Sequence, residues 1–525
     1  MSLKAFLHQL QFDPDKVKPQ NWETDWEDAP LPYKLYRRLP AFPLSAEVPL
    51  TLEHKPECAE PTLRGLGHFL WYTFGLTQLS QAVSGPEAGD EWGSPMQLCR
   101  RYVPSGGGLY PSELYLYLKL EDLPHGVYHY DVAHHRLILL REGDYDCYLG
   151  KALGNRCDIP ACFGVAFVST MFWKNYYKYN NFSYRLQGLD AGLLLGQLLE
   201  VAKRYGFQTG VYFQFLDRAV NHLLGLSEHE ESAYAVVPLS AEPDTEWFYE
   251  NKDEDFISAA DLCKELAAVE HEHYMRSRRV AEYPVVLKMN AAAMTDSPQW
   301  FRQIGREEEA SDKNAAYRLP HVNRLSYDLA SVLRERYSPE NEYVLRTVSS
   351  TCLAALLQEV MASFKYRNDL DGKLPSPEPR VSLYGCFYGV EGIGNGAYRY
   401  DGSEHALRLV RTGDLRSWLQ RGMALDNVNL YQVPLCFHVA GDTNHHFEKL
   451  CYRGYRIQQM EAGMLVHRLL LAAAASQMGG RPLLGYDANT SDEIYGMVSR
   501  GHTSLIQIPV GHCRRRSRLE GSLAH

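Results

Sequence analysis

Residues 101 to 113 read Arg101-Tyr-Val-Pro-Ser-Gly-Gly-Gly-Leu-Tyr-Pro-Ser-Glu113. Three consecutive glycines follow Pro104-Ser105 and lead into the apolar run Leu114-Tyr-Leu-Tyr-Leu118. Glycine has no Cβ, so such a run just before a buried strand lets backbone approach another object closely. Ser105 can offer that object a hydroxyl and an N–H. The same residues also read as a tight turn entering the strand. A second stretch able to do chemistry is Trp173-Lys-Asn-Tyr-Tyr-Lys-Tyr-Asn-Asn-Phe182, which sets the ammonium of Lys178 beside the phenol of Tyr179. Tyrosine is a poor base at its ordinary pKa, and a nearby ammonium favours the phenolate. Adjacent residues do not share a face in a regular helix or strand, so both can face one ligand only from irregular backbone. The other reading of this stretch is an aromatic-rich loop packed on the core. His271-Glu-His273 is not a His-Glu-x-x-His helix motif and lacks a third ligand, so no metal is expected. No Walker loop, Gly-x-Ser-x-Gly or dinucleotide fingerprint stands out.

The elements that must position these residues belong to a long chain. Its 525 residues exceed one ordinary core, so two or more domains are expected. A net charge of −10 argues against nucleic-acid backbone as the main partner. Eleven scattered cysteines, with no Cys-x-x-Cys pair, read as reduced thiols of a cytoplasmic protein. The N-terminal residues lack a signal-type apolar region, and no run is long enough to span a membrane.

The chain repeats itself. Tyr184-Arg-Leu-Gln-Gly-Leu-Asp-Ala-Gly192 matches Tyr455-Arg-Ile-Gln-Gln-Met-Glu-Ala-Gly463 at an offset of about 270, and both read as long, largely buried helices. Gly126-Val-Tyr-His-Tyr-Asp131 likewise matches Gly396-Ala-Tyr-Arg-Tyr-Asp401. Each of these is followed by an apolar strand and a Gly-Asp turn. A repeat this long is a duplicated domain rather than a solenoid unit. Each copy reads as helix, strands, long helix and final strand, the last being Ala233–Pro238 and Ser504–Val510, an α+β pattern. The expected organisation is a lead-in over 1–60, a first domain over 61–240, a connection over 241–315 with a helical stretch from Asp261 to Met275, and a second domain over 316–525.

The pattern Arg101-x-x-Pro104-Ser105-Gly106-Gly107-x-Leu109-Tyr110-Pro111 resembles the flavin-contacting loop of the SagB-type dehydrogenases, the azoline oxidases of the FMN-dependent nitroreductase superfamily. That resemblance implies tandem nitroreductase-like domains folded as an intramolecular pseudo-dimer, with FMN as cofactor. It implies flavin contacts from Arg101, Pro104, Ser105, Gly106 and Gly107, and catalytic roles for Lys178 and Tyr179. The implied activity removes a proton and a hydride from a thiazoline or oxazoline of a ribosomally made peptide, and oxygen reoxidises the flavin. Whether a cyclodehydratase partner is needed stays open. Two other readings remain. One is an NAD(P)H-dependent nitroreductase or ene-reductase acting on small molecules. The other is a flavin-free scaffold that binds a peptide.

The copies differ in ways that the resemblance makes informative. Pro104-Ser-Gly-Gly-Gly108 corresponds to Pro375-Ser-Pro-Glu-Pro379, where proline removes N–H groups, and Lys178-Tyr179 corresponds to Lys449-Leu450. Conversely, Arg336-Tyr-Ser338 in the second copy resembles the Arg-x-Ser start of nitroreductases, whose arginine grips the FMN phosphate. Guanidinium suits that task because its fork matches phosphate oxygens. Pro482-Leu-Leu484-Gly485-Tyr486 resembles the family segment facing the flavin N5 edge. Arg514, first of Arg514-Arg-Arg516, stands where the family places a further phosphate-binding cation. For Arg336 and Arg514 the alternative is a solvated surface arginine. The resemblance implies one composite FMN site per chain, drawing on both copies, with its mirror degenerate.

Overall fold

Two seven-stranded antiparallel sheets of the same topology carry the duplication. The computed structural model describes residues 1–53, 60–82, 96–249, 257–304, 316–373, 379–514 and 519–522. In the N-terminal copy the strand order is Ala41–Pro43, Arg136–Glu142, Gly126–Asp131, Ser112–Leu118, Gly164–Met171, Glu231–Ser240 and Gln208–Thr209. In the C-terminal copy it is Ala316–Arg318, Ala406–Thr412, Gly396–Asp401, Ser382–Phe387, Leu435–Asp442, His502–Gly511 and Gly479–Gly480. Even the bulges recur, at Val127/Tyr128 and Ala397/Tyr398, and at Val168/Ser169 and Val439/Ala440. Bulges re-aim side chains and are kept as features of a fold, so their recurrence marks one ancestral sheet used twice. The two expected terminal strands lie within Glu231–Ser240 and His502–Gly511.

The chain forms two compact units. One comprises Glu23–Leu287, Thr295–Phe301 and Arg516–His525 and carries the N-terminal copy; the other comprises Met1–Trp22, Lys288–Met294 and Arg302–Arg515 and carries the C-terminal copy. The units are not contiguous in sequence: the first 22 residues belong with the second copy. Strand Leu519–Ser522 pairs with Leu76–Ala82 of the first.

Each sheet is backed by a long helix, Ser183–Tyr205 or Arg453–Ala475. Their leucine- and alanine-rich sequences propagate well as helix. The first ends at Gly206, whose φ of 72° supplies the left-handed residue that closes the last turn, with Lys203 and Arg204 beside the exposed carbonyls. All of Ser183–Tyr205 except Lys203 and Arg204 is buried, so polar residues on this helix need partners.

The helix expected over Asp261–Met275 is shorter. It covers Ala259–Lys264, started by Ser258, whose Oγ accepts from the Asp261 N–H at 3.1 Å. The following residues run extended because tertiary pairing claims their backbone. Tyr274 N donates to the Leu35 carbonyl (2.8 Å) and Arg37 N to that of Glu272 (2.9 Å). Propensity yields to such pairing when the alternative partner lies close by. No helix among the described residues is long and apolar enough to cross a membrane.

Candidate active site

The strand Met96–Arg101 and the buried strand Ser112–Leu118 hold the glycine loop between them. The loop folds as a short 3₁₀ turn over Gly106–Gly108, with Gly107 and Gly108 at φ 66° and 69°. Only glycine adopts this backbone without strain. Asp190, on the helix Ser183–Tyr205, shapes the loop. Ser105 Oγ donates to its Oδ2 at 2.5 Å, and Gly106 N donates to its Oδ1 at 3.1 Å. Ser105 Oγ in turn accepts from Tyr110 N at 2.9 Å, closing the loop on itself. Burial pushes the Asp190 carboxyl up to about 6, against the lowering pull of these donors. Sequence reasoning missed Asp190; a carboxylate within the leucine-rich run of a buried helix was the available signal.

Lys178 and Tyr179 come to this loop. A Cβ built on Gly107 would lie 2.5 Å from Tyr179 Oη and 3.1 Å from Lys178 Nζ. Both side chains are half-buried, and the Lys178 Nζ lies 5.1 Å from the centre of the Tyr179 ring and 5.3 Å from that of Trp26. The backbone explains how neighbours in sequence reach one place. Helix Trp173–Tyr179 ends at Tyr179, and Asn180 follows at φ 47°, ψ −138°. The chain therefore leaves the helix between the two residues and the next helical turn. Burial lowers the Lys178 ammonium from its ordinary value, which eases loss of its proton. The C-terminal copy keeps the same break, Cys451 at φ 49°, ψ −141°, but offers the aliphatic Leu450 in place of a phenol.

The lack of side chains on the three glycines has different consequences at each. At Gly106 a Cβ would meet Leu186 at 2.8 Å, and at Gly107 it would meet Tyr179, whereas at Gly108 nothing lies within 4 Å. The protein itself thus occupies two of the three close approaches. Pro104 is half-buried ahead of this turn.

Arg101 does not join the loop. Its guanidinium is buried, 3.9 Å over the Phe74 ring and 4.6 Å over that of Tyr110, and donates to the Pro32 carbonyl at 2.6 Å. Cation–π stacking makes it a packing residue of the strand that leads to the loop.

In the other unit, Arg336 Nη1 donates to Ser338 Oγ at 3.4 Å, and the structure adds a third polar neighbour. Arg481 reaches the Ser338 carbonyl (3.3 Å) and Glu340 (3.1 Å). It immediately precedes Pro482, which was the unused sequence signal. Leu484 is half-buried and Gly485 exposed; the Gly485 carbonyl accepts from Ala424 N at 2.9 Å. Arg514 is exposed, its N–H bonded to the Glu342 carbonyl at 3.0 Å, while Arg515 and Arg516 lie outside the described residues. Each group is described within its own unit.

The counterpart of Asp190 in the second copy is Glu461, and it has different partners. Arg380 Nε lies 3.0 Å from Glu461 Oε1, Tyr366 donates to the same oxygen at 2.6 Å, and Arg380 also pairs with Asp371. The loop segment Pro375–Glu378 is outside the described residues. What remains shows the helix carboxylate engaged by a buried guanidinium instead of a serine and a glycine N–H.

Residues 76–239 match the profile of the Nitroreductase family. The chain contains a nitroreductase-family domain. Trifolitoxin-processing protein TfxB of Rhizobium leguminosarum bv. trifolii is 31% identical over 143 residues, which is 26% of this chain and 38% of that protein. The match thus spans little more than a third of the relative's length. Among solved structures, a protein of Anabaena variabilis provisionally assigned as a nitroreductase superposes with a TM-score of 0.72 at 21% identity, covering 98% of this chain and 99% of its own. Mixed helix and sheet, in tandem nitroreductase-like repeats, is the fold they share.

Proposed function

We propose that the chain is an FMN-dependent oxidoreductase that dehydrogenates azoline rings of a ribosomally made peptide to azoles. The convergence of Lys178 and Tyr179 on Gly107 carries this reading. Azole formation removes one proton and one hydride from the ring; dioxygen, taking up two electrons and two protons, leaves as hydrogen peroxide. FMN, when bound, supplies the hydride acceptor. Each unit by itself carries features that suit such a group: in the N-terminal copy's unit the Gly108 face is open, and in the other unit Arg336, Ser338 and Arg481 group guanidinium forks with a hydroxyl as a phosphate requires. Roles for Pro104, Ser105, Gly106, Leu484, Gly485 and Arg514 rest on the sequence resemblance, as does the reading that both copies serve one flavin. Tyr179 with Lys178 holds and moves the ring proton: the lysine, destabilised as an ammonium by burial, and the phenol share it. The name of the relative TfxB, a trifolitoxin-processing protein, supports a toxin precursor as the substrate.

The family match also favours a second reading, reduction of a small molecule by NAD(P)H. Purified chain, reconstituted with FMN, separates the two. The oxidase reading requires loss of two hydrogens per thiazoline ring by mass spectrometry, with peroxide released and no need for NAD(P)H. Lys178→Ala and Tyr179→Phe are expected to lose roughly 10²–10⁴-fold in turnover while still binding FMN. Full turnover by both variants, or strict dependence on NAD(P)H, overturns it. Failure to bind FMN at any concentration would leave the flavin-free scaffold.

A further inference from the structure

Trp26 is 59% exposed although it stands beside the residues proposed to react. Lys178 Nζ lies 5.3 Å from its ring centre, and Tyr177 meets the ring edge-on at 6.3 Å and 86°. The same Lys178 Nζ would lie 3.1 Å from a Cβ on Gly107, so one lysine links this ring to the glycine turn. A single exposed apolar side chain is ordinary on a protein surface. Trp26 is set apart by its place next to Lys178 and by how it is mounted.

Asp25 Oδ1 accepts from the N–H groups of Glu27 and Asp28, both at 3.2 Å, which closes a turn around Trp26. The Asp28 carboxylate accepts from Arg278 N (2.7 Å) and Arg279 N (2.9 Å). The Asp28 carbonyl accepts from Ser277 Oγ at 2.7 Å, and Ser277 Oγ accepts from Trp173 Nε1 at 2.9 Å. Trp173 opens the helix that ends at Tyr179. One hydrogen-bonded chain therefore ties the turn that presents Trp26 to the helix that presents Lys178 and Tyr179, all within the N-terminal copy's unit. A ring on so fixed a mount gives up little further freedom when another ring stacks on it. Asp25 and Glu27, its neighbours in the chain, are exposed carboxylates and disfavour an anionic partner.

We infer that Trp26 is a specificity-determining residue, stacking an uncharged planar side chain of the peptide on the residue next to the azoline that reacts at Lys178 and Tyr179. This role rests on the azoline-dehydrogenase reading of the same site. Successive peptide residues are about 3.8 Å apart at Cα, so a ring centred 5.3 Å from the Lys178 nitrogen suits the neighbouring residue rather than the reacting ring. Offset stacking favours an aromatic over an aliphatic neighbour by about threefold to tenfold.

Two short peptides test this, each with one thiazoline, flanked by phenylalanine in one and by alanine in the other. The full chain with FMN should prefer the phenylalanine peptide about threefold to tenfold in kcat/KM. Trp26→Leu should bring that ratio to about one, and Trp26→Tyr should keep it. A substitution that merely disturbed Lys178 would slow both peptides alike and leave the ratio standing, which counts against the role. Binding is read separately with the thiazole forms of the two peptides, which have no hydrogens left to lose. Indole fluorescence should change saturably with the phenylalanine form, and Trp26→Leu should weaken that binding by about the same factor. Binding that depends on Trp26 without any turnover of the thiazolines would sink the dehydrogenase reading and support the ring contact. Turnover with no preference for phenylalanine, or a preference that survives Trp26→Leu, overturns the role of Trp26 and leaves dehydrogenation in place.

Discussion

Replacing Gly107 and Gly108 one at a time by alanine separates backbone strain from contact. Both residues sit at nearly the same left-handed φ, 66° and 69°, so each substitution carries the same conformational penalty, about 1–2 kcal/mol. That corresponds to a melting shift on the order of 2–4 °C per kcal/mol for a domain of this size. The contacts are unlike. The new methyl at 108 meets nothing within 4 Å, but at 107 it falls 2.5 Å from Tyr179 Oη and 3.1 Å from Lys178 Nζ. Restoring ordinary van der Waals separation moves the phenol oxygen by about 1 Å, and a displacement of that size at a reacting group costs around 10²-fold in rate. Gly107→Ala should therefore lose about two orders of magnitude in azole formation with FMN still bound, while Gly108→Ala, whose methyl enters the face proposed for the flavin, should lose stability and FMN affinity but little rate once FMN is saturating. Urea or thermal unfolding gives the first quantity and single-turnover kinetics the second. Equal turnover by the two variants, at equal stability, would refute the placement of Tyr179 and Lys178 as the reacting pair.

Asp190 offers a pH test. Its folded carboxyl, raised to about 6 by burial, binds a proton that the unfolded chain has already released, so its contribution to stability falls as pH rises from about 4 to 6. Asp190→Asn should flatten that stretch of the stability–pH curve, read by urea unfolding, by up to about 3 kcal/mol; an unchanged slope would show that the carboxyl titrates normally. Arg336→Ala and Arg481→Ala should each weaken FMN far more than riboflavin in fluorescence titrations, because only FMN carries the phosphate; equal weakening of both flavins would remove these residues from a phosphate role. Glu461→Gln leaves the Arg380 guanidinium facing Asp371 alone and should destabilise by about 3–5 kcal/mol. A variant that unfolds at the parental urea concentration would contradict that.

Much of the fold was legible from residues in sequence order. The offset between Tyr184-Arg and Tyr455-Arg, and between the two Tyr-x-Tyr-Asp strands, announced a duplication, and the structure returns two sheets of one topology. The long helices and terminal strands were legible because their apolar runs are local and recur in both copies. The stretch after Asp261 was not, because its backbone pairs with residues near 35 that no window of sequence contains.

Residue types and the repeat determine the α+β class, the doubling, the glycine turn and the presence of a lysine beside a tyrosine, since all of these depend on near neighbours. Tertiary structure alone decides what those residues meet. Ser105 and Asp190 are 85 positions apart, and only the packing of a helix on its sheet joins them. Packing likewise turns Arg101 between two rings, sets Arg481 beside Ser338, and brings Lys178 and Tyr179 to Gly107 across a helix end at Asn180. Close-packed interiors admit few arrangements of such groups, and which one is realised depends on the whole chain at once.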